Sequence, residues 1–390
     1  MPHSRKRESV PIILKKLRFS RVVSLQGARQ TGKSFLARHL LRADLPHARY
    51  VSLDSKADRD QAEHLPDTFL QRYEEAKPLI IDEAQKAPNI FDAIKLKVDE
   101  SPRPGQFILL GSTEFAREVM VRESLTGRLG RVRIFPMNFR ELSGPTSRLP
   151  SSGLGRRRFL EQLDRGGMPG IAFVRDSAER RALIDEWLRL ICERDLGQFK
   201  KLKLDGEVAR EIFQFMNQLE EPTAAALARA TKINARRIGV HLKALEHLFS
   251  VYHLRMHPAA QGTKPIFVTL DAGIAGYLGA SLRRKILISL LNERLCFHHY
   301  AGRSGVKFYY FRSRTKNHID LIEESELGTH AFQIFETESW QGTDLELMKA
   351  FLKKVPQANA TILAPVREDS KISGITLSPW EKLTLGGKLL

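Results

Sequence analysis

Between a β-branched run, SRVVSL, and an apolar-periodic run, SFLARHLLR, the chain reads Gly27-Ala28-Arg29-Gln30-Thr31-Gly32-Lys33-Ser34. The eight residues fit G-x-x-x-x-G-K-[ST] at every fixed position, and they stand in the order strand, glycine loop, helix that a phosphate cradle requires. The glycines let the backbone curl until its N–H groups face the phosphates, and the helix N-terminus adds the positive end of its dipole. A loop of this kind is carried by a buried, mostly parallel sheet, so the first part of the chain is expected to be α/β, with a P-loop core. The expected contacts to ATP are Gly27, Ala28, Arg29, Gln30, Thr31, Gly32, Lys33, Ser34 and Phe35. Lys33 should reach the β and γ phosphates and the Ser34 hydroxyl should meet Mg2+.

A second signal follows at residues 77–85, KPLIIDEAQ, an apolar strand ending in Asp82-Glu83. A carboxylate at the end of such a strand can hold Mg2+ through water, and its neighbour can polarise the attacking water. Asp82 is therefore the expected metal residue and Glu83 the expected general base. The next buried strand, Phe107 to Leu110, ends near Ser112 and Thr113. In an open α/β sheet the crevice lies at the carboxyl ends of the strands, which makes Ser112, and after it Thr113, a candidate sensor of the γ-phosphate. Further on, ESLTGRLGRVRIFPMNFREL offers Arg128, Arg131 and Arg133, with Arg128 the candidate to stabilise charge on the γ-phosphate, in cis or across a subunit contact.

Composition narrows the rest. In 390 residues, 42% are hydrophobic and 28% charged, and no apolar run approaches the roughly 18–20 residues that span a bilayer. The basic N-terminal stretch has too short an apolar run for a signal-peptide core, so a cytoplasmic location is expected, with no membrane partner. The two cysteines, Cys192 and Cys296, lack the spacing of a zinc site or a disulfide framework and should be buried and inert. A net charge of +18 favours an anionic partner such as DNA or another nucleic acid.

The middle of the chain carries three patterns. SGPTSRLPSSGLGRRR, residues 143–158, has almost no apolar periodicity and reads as a linker. RRALIDEWLRLICERDLGQF is an amphipathic helix with Leu183, Trp187, Leu190 and Ile191 on one stripe. The segment from Glu220 to Pro258 reads as helix, tight turn, helix, strand. Thr223 and Asn234 are expected to cap the two helices, and Ile238, Leu242, Leu245 and Leu248 to form the buried stripe of the second. Arg236, Arg237, His241 and Lys243 are then left on the outside, where a recognition helix would meet DNA, and SVYHLRM and KPIFVTL would make a wing. Winged helices also serve protein contact and interdomain packing, so a protein partner stays open.

Together GARQTGKS, LIIDEAQ, ILLGSTEF, ESLTGRLGRVRIFPMNFREL, GGMPG and ERDL resemble the prokaryotic AAA-type ATP-binding proteins whose C-terminal half is a domain of unknown function. The resemblance runs from about residue 8 to about residue 365. It implies a RecA/AAA-like core, a helical lid or connector, a winged helix-turn-helix and a small α/β domain resembling the PD-(D/E)xK, or restriction-endonuclease, fold. The expected boundaries are an ATPase core at 1–145, a linker and lid at 146–205, a winged helix at 206–270 and the nuclease-like domain at 271–390. In that last domain Asp320 lies between Ile319 and Leu321, but the positions that should read E-x-K read Gln333-Ile334-Phe335. Glutamine is a weak metal ligand and phenylalanine cannot replace lysine. Glu336 and Glu338 would need a one-residue shift that turns their side chains to the other face. Glu293 is the available helical acid. The nuclease function is therefore expected to be lost.

The expected activity is Mg2+-dependent ATP hydrolysis coupled to a DNA- or protein-binding module. A slow or non-hydrolysing switch that reports ATP occupancy is the alternative. A small-molecule kinase also begins from such a loop, but the Asp82-Glu83 strand end and the long helical second half fit it less well. The oligomeric state stays open.

Overall fold

A computed structural model describes residues 5–112, 125, 127–144, 155–199, 202–260, 264–313, 318–337 and 342–389. Five strands, β1 (Val22–Gln26), β2 (Arg49–Ser52), β3 (Leu79–Asp82), β4 (Phe107–Gly111) and β5 (Leu129–Arg133), form a parallel sheet in the order β2-β3-β4-β1-β5. β1, β3 and β4 are buried along their whole length, as central strands covered on both faces must be. One face packs on the helix Val10–Leu17 through Ile12, Ile13 and Leu17. The other packs on the helices Lys56–His64, Pro66–Gln71 and Ile90–Glu100.

The central helices share a second core. Trp187, fully buried, meets Phe213 with ring centroids 6.0 Å apart, and Ile191, Ile212, Ile238 and Leu245 complete the cluster. Leu183 belongs to the partly buried layer around it. Thr223 accepts from the Ala226 N–H and Asn234 from the Arg236 N–H, the two caps expected of a helix-turn-helix. Ile238, Leu242, Leu245 and Leu248 are all buried, so the expected stripe of the Ala235–His247 helix is the real one.

The expected wing differs in its partners. β6 (Val251–Met256) and β7 (Ile266–Thr269) do pair antiparallel, but β6 also runs parallel to β8 (Lys307–Arg312). With β9 (His318–Ser325), β10 (Gly328–Ile334), β11 (Asn359–Ala364), β12 (Ser370–Ile372) and β13 (Ile375–Pro379) they make an eight-stranded mixed sheet in the order β12-β13-β11-β10-β9-β8-β6-β7. The wing is thus the far edge of the C-terminal sheet rather than a separate hairpin. The helix Leu282–Tyr300 covers one face of that sheet and then runs along the first domain. There His299 Nε2 accepts the Arg133 N–H at 2.7 Å and the Tyr300 hydroxyl accepts the Phe135 N–H at 3.2 Å. Burial, with Arg133 nearby, pulls His299 down to about 4, which keeps the ring neutral and able to accept. Cys192 and Cys296 are both buried and free, and burial pushes the Cys192 thiol up to about 12.

Candidate nucleotide-binding site

The loop after β1 is shaped by what presses on it. At Gly27 an added Cβ would stand 2.2 Å from the Ile134 carbonyl oxygen, so the chain passes there only without a side chain. Gln30 and Gly32 take φ values of 62° and 90°, the left-handed turns that curl the backbone into an N–H nest. The carbonyls on its outer side are tied down: Thr31 Oγ1 donates to Ala28 O at 2.9 Å and Arg7 Nη1 donates to Thr31 O at 2.8 Å. Trp187 Nε1 donates to Arg29 O at 3.3 Å. Lys33 is 7% exposed and donates to the Gly27 and Ala28 carbonyls, both at 2.8 Å. Burial pulls its ammonium down to about 8, against the opposing pull of Glu83 and Asp82. A buried cation whose hydrogen bonds go to carbonyl dipoles is relieved by an anionic group.

The strand order then sets the other groups. β4 lies between β1 and β3, and parallel register puts Gly111 level with Gln26, so Ser112 emerges between the loop and the Asp82-Glu83 strand end. Ser112 is 3% exposed, and its hydroxyl has no hydrogen-bond partner among the described residues. Asp82 is 5% exposed; its Oδ1 accepts the Glu83 N–H at 2.9 Å and its Oδ2 accepts the Tyr50 hydroxyl. The Arg38 guanidinium lies 4.2 Å over the Tyr50 ring. Glu83 holds a φ of 53°, a left-handed conformation that costs a non-glycine residue about 1–3 kcal/mol and is typical of strained functional positions. Its carboxylate accepts from Gln85 Nε2.

Arg29, Gln30, Gly32, Lys33, Ser34, Phe35, Glu83 and Ser112 all line one cavity of about 710 Å³. That lies within the range of pockets that hold drug-sized ligands. Gly27, Ala28, Thr31 and Asp82 are not on its wall; Ala28 instead packs into the helical core, and Asp82 faces Tyr50. The Ser34 hydroxyl and the Asp82 carboxylate are hard oxygen donors, the kind Mg2+ takes alongside substrate phosphates and water.

Arg5, Asp54 and Phe173 also line the cavity and had no motif to announce them; Pro169 and Gly170 of GGMPG line it as well. GGMPG reaches the site because Gly167 docks flush on Met137: its carbonyl accepts the Met137 N–H at 2.7 Å, and a Cβ there would come within 2.2 Å of Met137 O. Arg29, the second variable residue of the loop, grips Asp195 of ERDL with two bonds, Nε at 2.7 Å and Nη2 at 2.6 Å. Asp195 is fully buried. The ERDL and GGMPG strings were the only signal of these contacts, since both lie more than a hundred residues from the loop.

Other expected residues lie elsewhere. Arg128 precedes β5, and its carbonyl accepts from the Val22 N–H at the start of β1. It therefore stands at the opposite end of the sheet from the loop, roughly 16 Å of strand away. Its guanidinium holds Asp99, with Nε at 2.6 Å and Nη2 at 2.7 Å, so it does not reach this chain's own cavity. Thr113 falls outside the described residues. Arg236 and Lys243 are exposed on the Ala235–His247 helix as expected, and Arg237 pairs with Asp205 at 2.7 Å. His241 is a correction: it is fully buried, its Nε2 accepts the Asp205 N–H at 2.9 Å, and its Nδ1 lies 2.8 Å from Arg237 O. It splices two helices and presents nothing to a groove.

In the C-terminal domain Asp320 and Gln333 are both buried. Arg283 clamps Asp320 with bonds of 2.8 and 3.0 Å, and the Ile334 N–H donates to Asp320 Oδ2 at 2.7 Å. Glu336 accepts the Arg283 N–H, and Glu338 lies outside the described residues. Glu293 turns toward the first domain, where it accepts the Phe139 N–H at 2.7 Å, and burial pushes it up to about 8.

Residues 19–143 match the family model of the AAA domain. The matched segment contains the loop, the Asp82-Glu83 strand end and Ser112. An uncharacterized protein of Mycobacterium tuberculosis is 32% identical over 193 residues, 50% of this chain and 40% of the relative, and a Mycobacterium bovis protein matches to the same extent. The chain thus covers less than half the length of these relatives. Among solved structures, the Walker-type ATPase PABY2304 of Pyrococcus abyssi is 16% identical, with 70% of this chain and 95% of that one covered at a TM-score of 0.39. The ORC1 protein of Aeropyrum pernix, in complex with DNA, is 15% identical, with coverage of 71% and 93% and a TM-score of 0.30. No helix among the described residues is long and apolar enough to cross a membrane.

Proposed function

We propose that the AAA domain binds and hydrolyses ATP with Mg2+, and that the helix-turn-helix behind it reads the nucleotide state. The observation that carries this reading is the single cavity onto which buried Lys33, Ser34, Glu83 and the unpartnered Ser112 hydroxyl converge. In this reading Lys33 neutralises the phosphates, Ser34 and Asp82 hold Mg2+, and Glu83 orients the water that attacks the γ-phosphate. Ser112 supplies a hydrogen bond to that water or to the phosphate. The route outward begins at Ala28, which packs in one core with Trp187, Ile212 and Leu245.

The output we favour is DNA contact through Arg236, Arg237 and Lys243. Arg237 is shared with Asp205, which ties that contact to the start of the Gly206–Gln218 helix. The Asp320 cleft is not proposed as a nuclease, because Arg283 holds the carboxylate oxygens a metal would need.

One observation favours the slower switch as a second reading. Tyr50 holds Asp82 and Gln85 holds Glu83, so both acids must exchange partners before they can act. Phosphate release measured with and without duplex DNA, over a range of salt and protein concentrations, tests the reading. Stimulation by DNA that fades with salt supports the coupling; a rate indifferent to DNA at every salt removes it.

A further inference from the structure

The loop itself carries an arginine on the cavity that Arg128 of the same chain does not reach. Arg29 lines the same cavity as Lys33, Ser34, Glu83 and Ser112. Glu83 and Asp54 are near enough to stabilise its charge, so it stands beside the acids that frame the reaction. Only Nε and Nη2 are engaged, both on Asp195, and Nη1 makes no hydrogen bond among the described residues. Its backbone is fixed by Trp187 on one side and by the left-handed Gln30 on the other, so the side chain alone is free to change partner.

We propose that Arg29 contacts the terminal phosphate of ATP from within the same chain, and that Asp195 is the counter-ion from which it transfers. The proposal rests on the ATP reading above. A guanidinium matches two phosphate oxygens as readily as two carboxylate oxygens, so the fork that now grips Asp195 can exchange one for the other with little loss of geometry. ADP lacks the group that would compete with Asp195. The exchange has a structural consequence, because Asp195 is fully buried and its other contact is Gln198 Nε2 at 3.4 Å. A buried carboxylate deprived of its cation must gain a new partner, shift or take up a proton. Asp195 ends the segment Leu190–Asp195, whose Ile191 and Cys192 pack against the helix-turn-helix core. The transfer would therefore carry the difference between ATP and ADP into the domain that bears Arg236.

Equilibrium affinities for ATP and ADP with Mg2+ test the proposal in a Glu83→Gln background, where turnover does not blur them. Arg29→Ala should weaken ATP by about tenfold or more and leave ADP within about twofold. Arg29→Lys, which keeps the charge but not the fork, should fall between and guards against a folding defect. Asp195→Asn should leave ATP binding unchanged or tighter, because it removes a competitor. The proposal is overturned if Arg29→Ala weakens ATP and ADP in parallel or neither, or if Asp195→Asn weakens ATP as much as Arg29→Ala does, since the pair is then only a brace. A parent protein that binds neither nucleotide overturns the ATP reading itself, and this proposal with it.

Discussion

Two regions of this molecule each hold a buried aspartate, and they differ in what surrounds it. At the end of β3, Asp82 accepts from Tyr50, and the next residue, Glu83, lines a cavity of about 710 Å³ together with a buried lysine and a hydroxyl without a partner. On β9, Asp320 is clamped by Arg283 and by the Ile334 N–H. The first site holds polar groups in reserve, at a cost in strain and desolvation; the second has satisfied its charge internally.

The difference between the two regions can be broken most easily at Lys33. Lys33→Ala should lower ATP turnover by about 10²–10³-fold or more, read by phosphate release, because it removes the charge that meets the phosphates. Glu83→Gln should lower kcat by about 10²–10⁴-fold while ATP still binds, a split that separates water activation from phosphate binding. In the other region, Asp320→Ala should leave turnover within about twofold and act on stability instead. Stranding Arg283, which is 29% exposed, should cost on the order of 2–4 kcal/mol in a denaturant titration. Metal-dependent nicking of plasmid that disappears in Asp320→Ala would place catalysis there and undo the contrast.

The pH response sharpens it further. ATP should bind best with Lys33 charged, and binding should raise its pKa above the value of about 8 set by burial. Affinity is then fully present below pH 8 and falls by up to about tenfold per unit above it, measurable by titration calorimetry. The smallest effect is expected outside both regions. Arg236→Ala with Arg237→Ala should make DNA affinity less sensitive to salt, lowering the log–log slope by about 0.9 for each phosphate that is no longer neutralised.

What the sequence made legible was local. The loop, the strand ends at Asp82 and Ser112, and the caps at Thr223 and Asn234 each depend on residues within a few positions of one another, so their patterns survive in one dimension. That Arg128 stands away from its own chain's cavity was not legible, because proximity to a glycine-rich stretch does not say which end of a parallel strand it precedes. His241 sits at a helix position that periodicity leaves open, and it was drawn inward by the Asp205 N–H, 36 residues away. β6 looked like half of an isolated hairpin until β8, some fifty residues on, extended the sheet across it. Asp195 grips Arg29 of the loop and Gly167 docks on Met137 at the cavity, and no spacing rule connects either of them to the loop.

The most direct measurement is phosphate release from ATP with Mg2+, run beside equilibrium ATP binding, for the wild type, Lys33→Ala and Glu83→Gln. Turnover is expected in the wild type, loss of both signals in Lys33→Ala, and binding without turnover in Glu83→Gln. Turnover that survives Glu83→Gln unchanged, or a wild type that binds ATP and never releases phosphate, would contradict the proposed function.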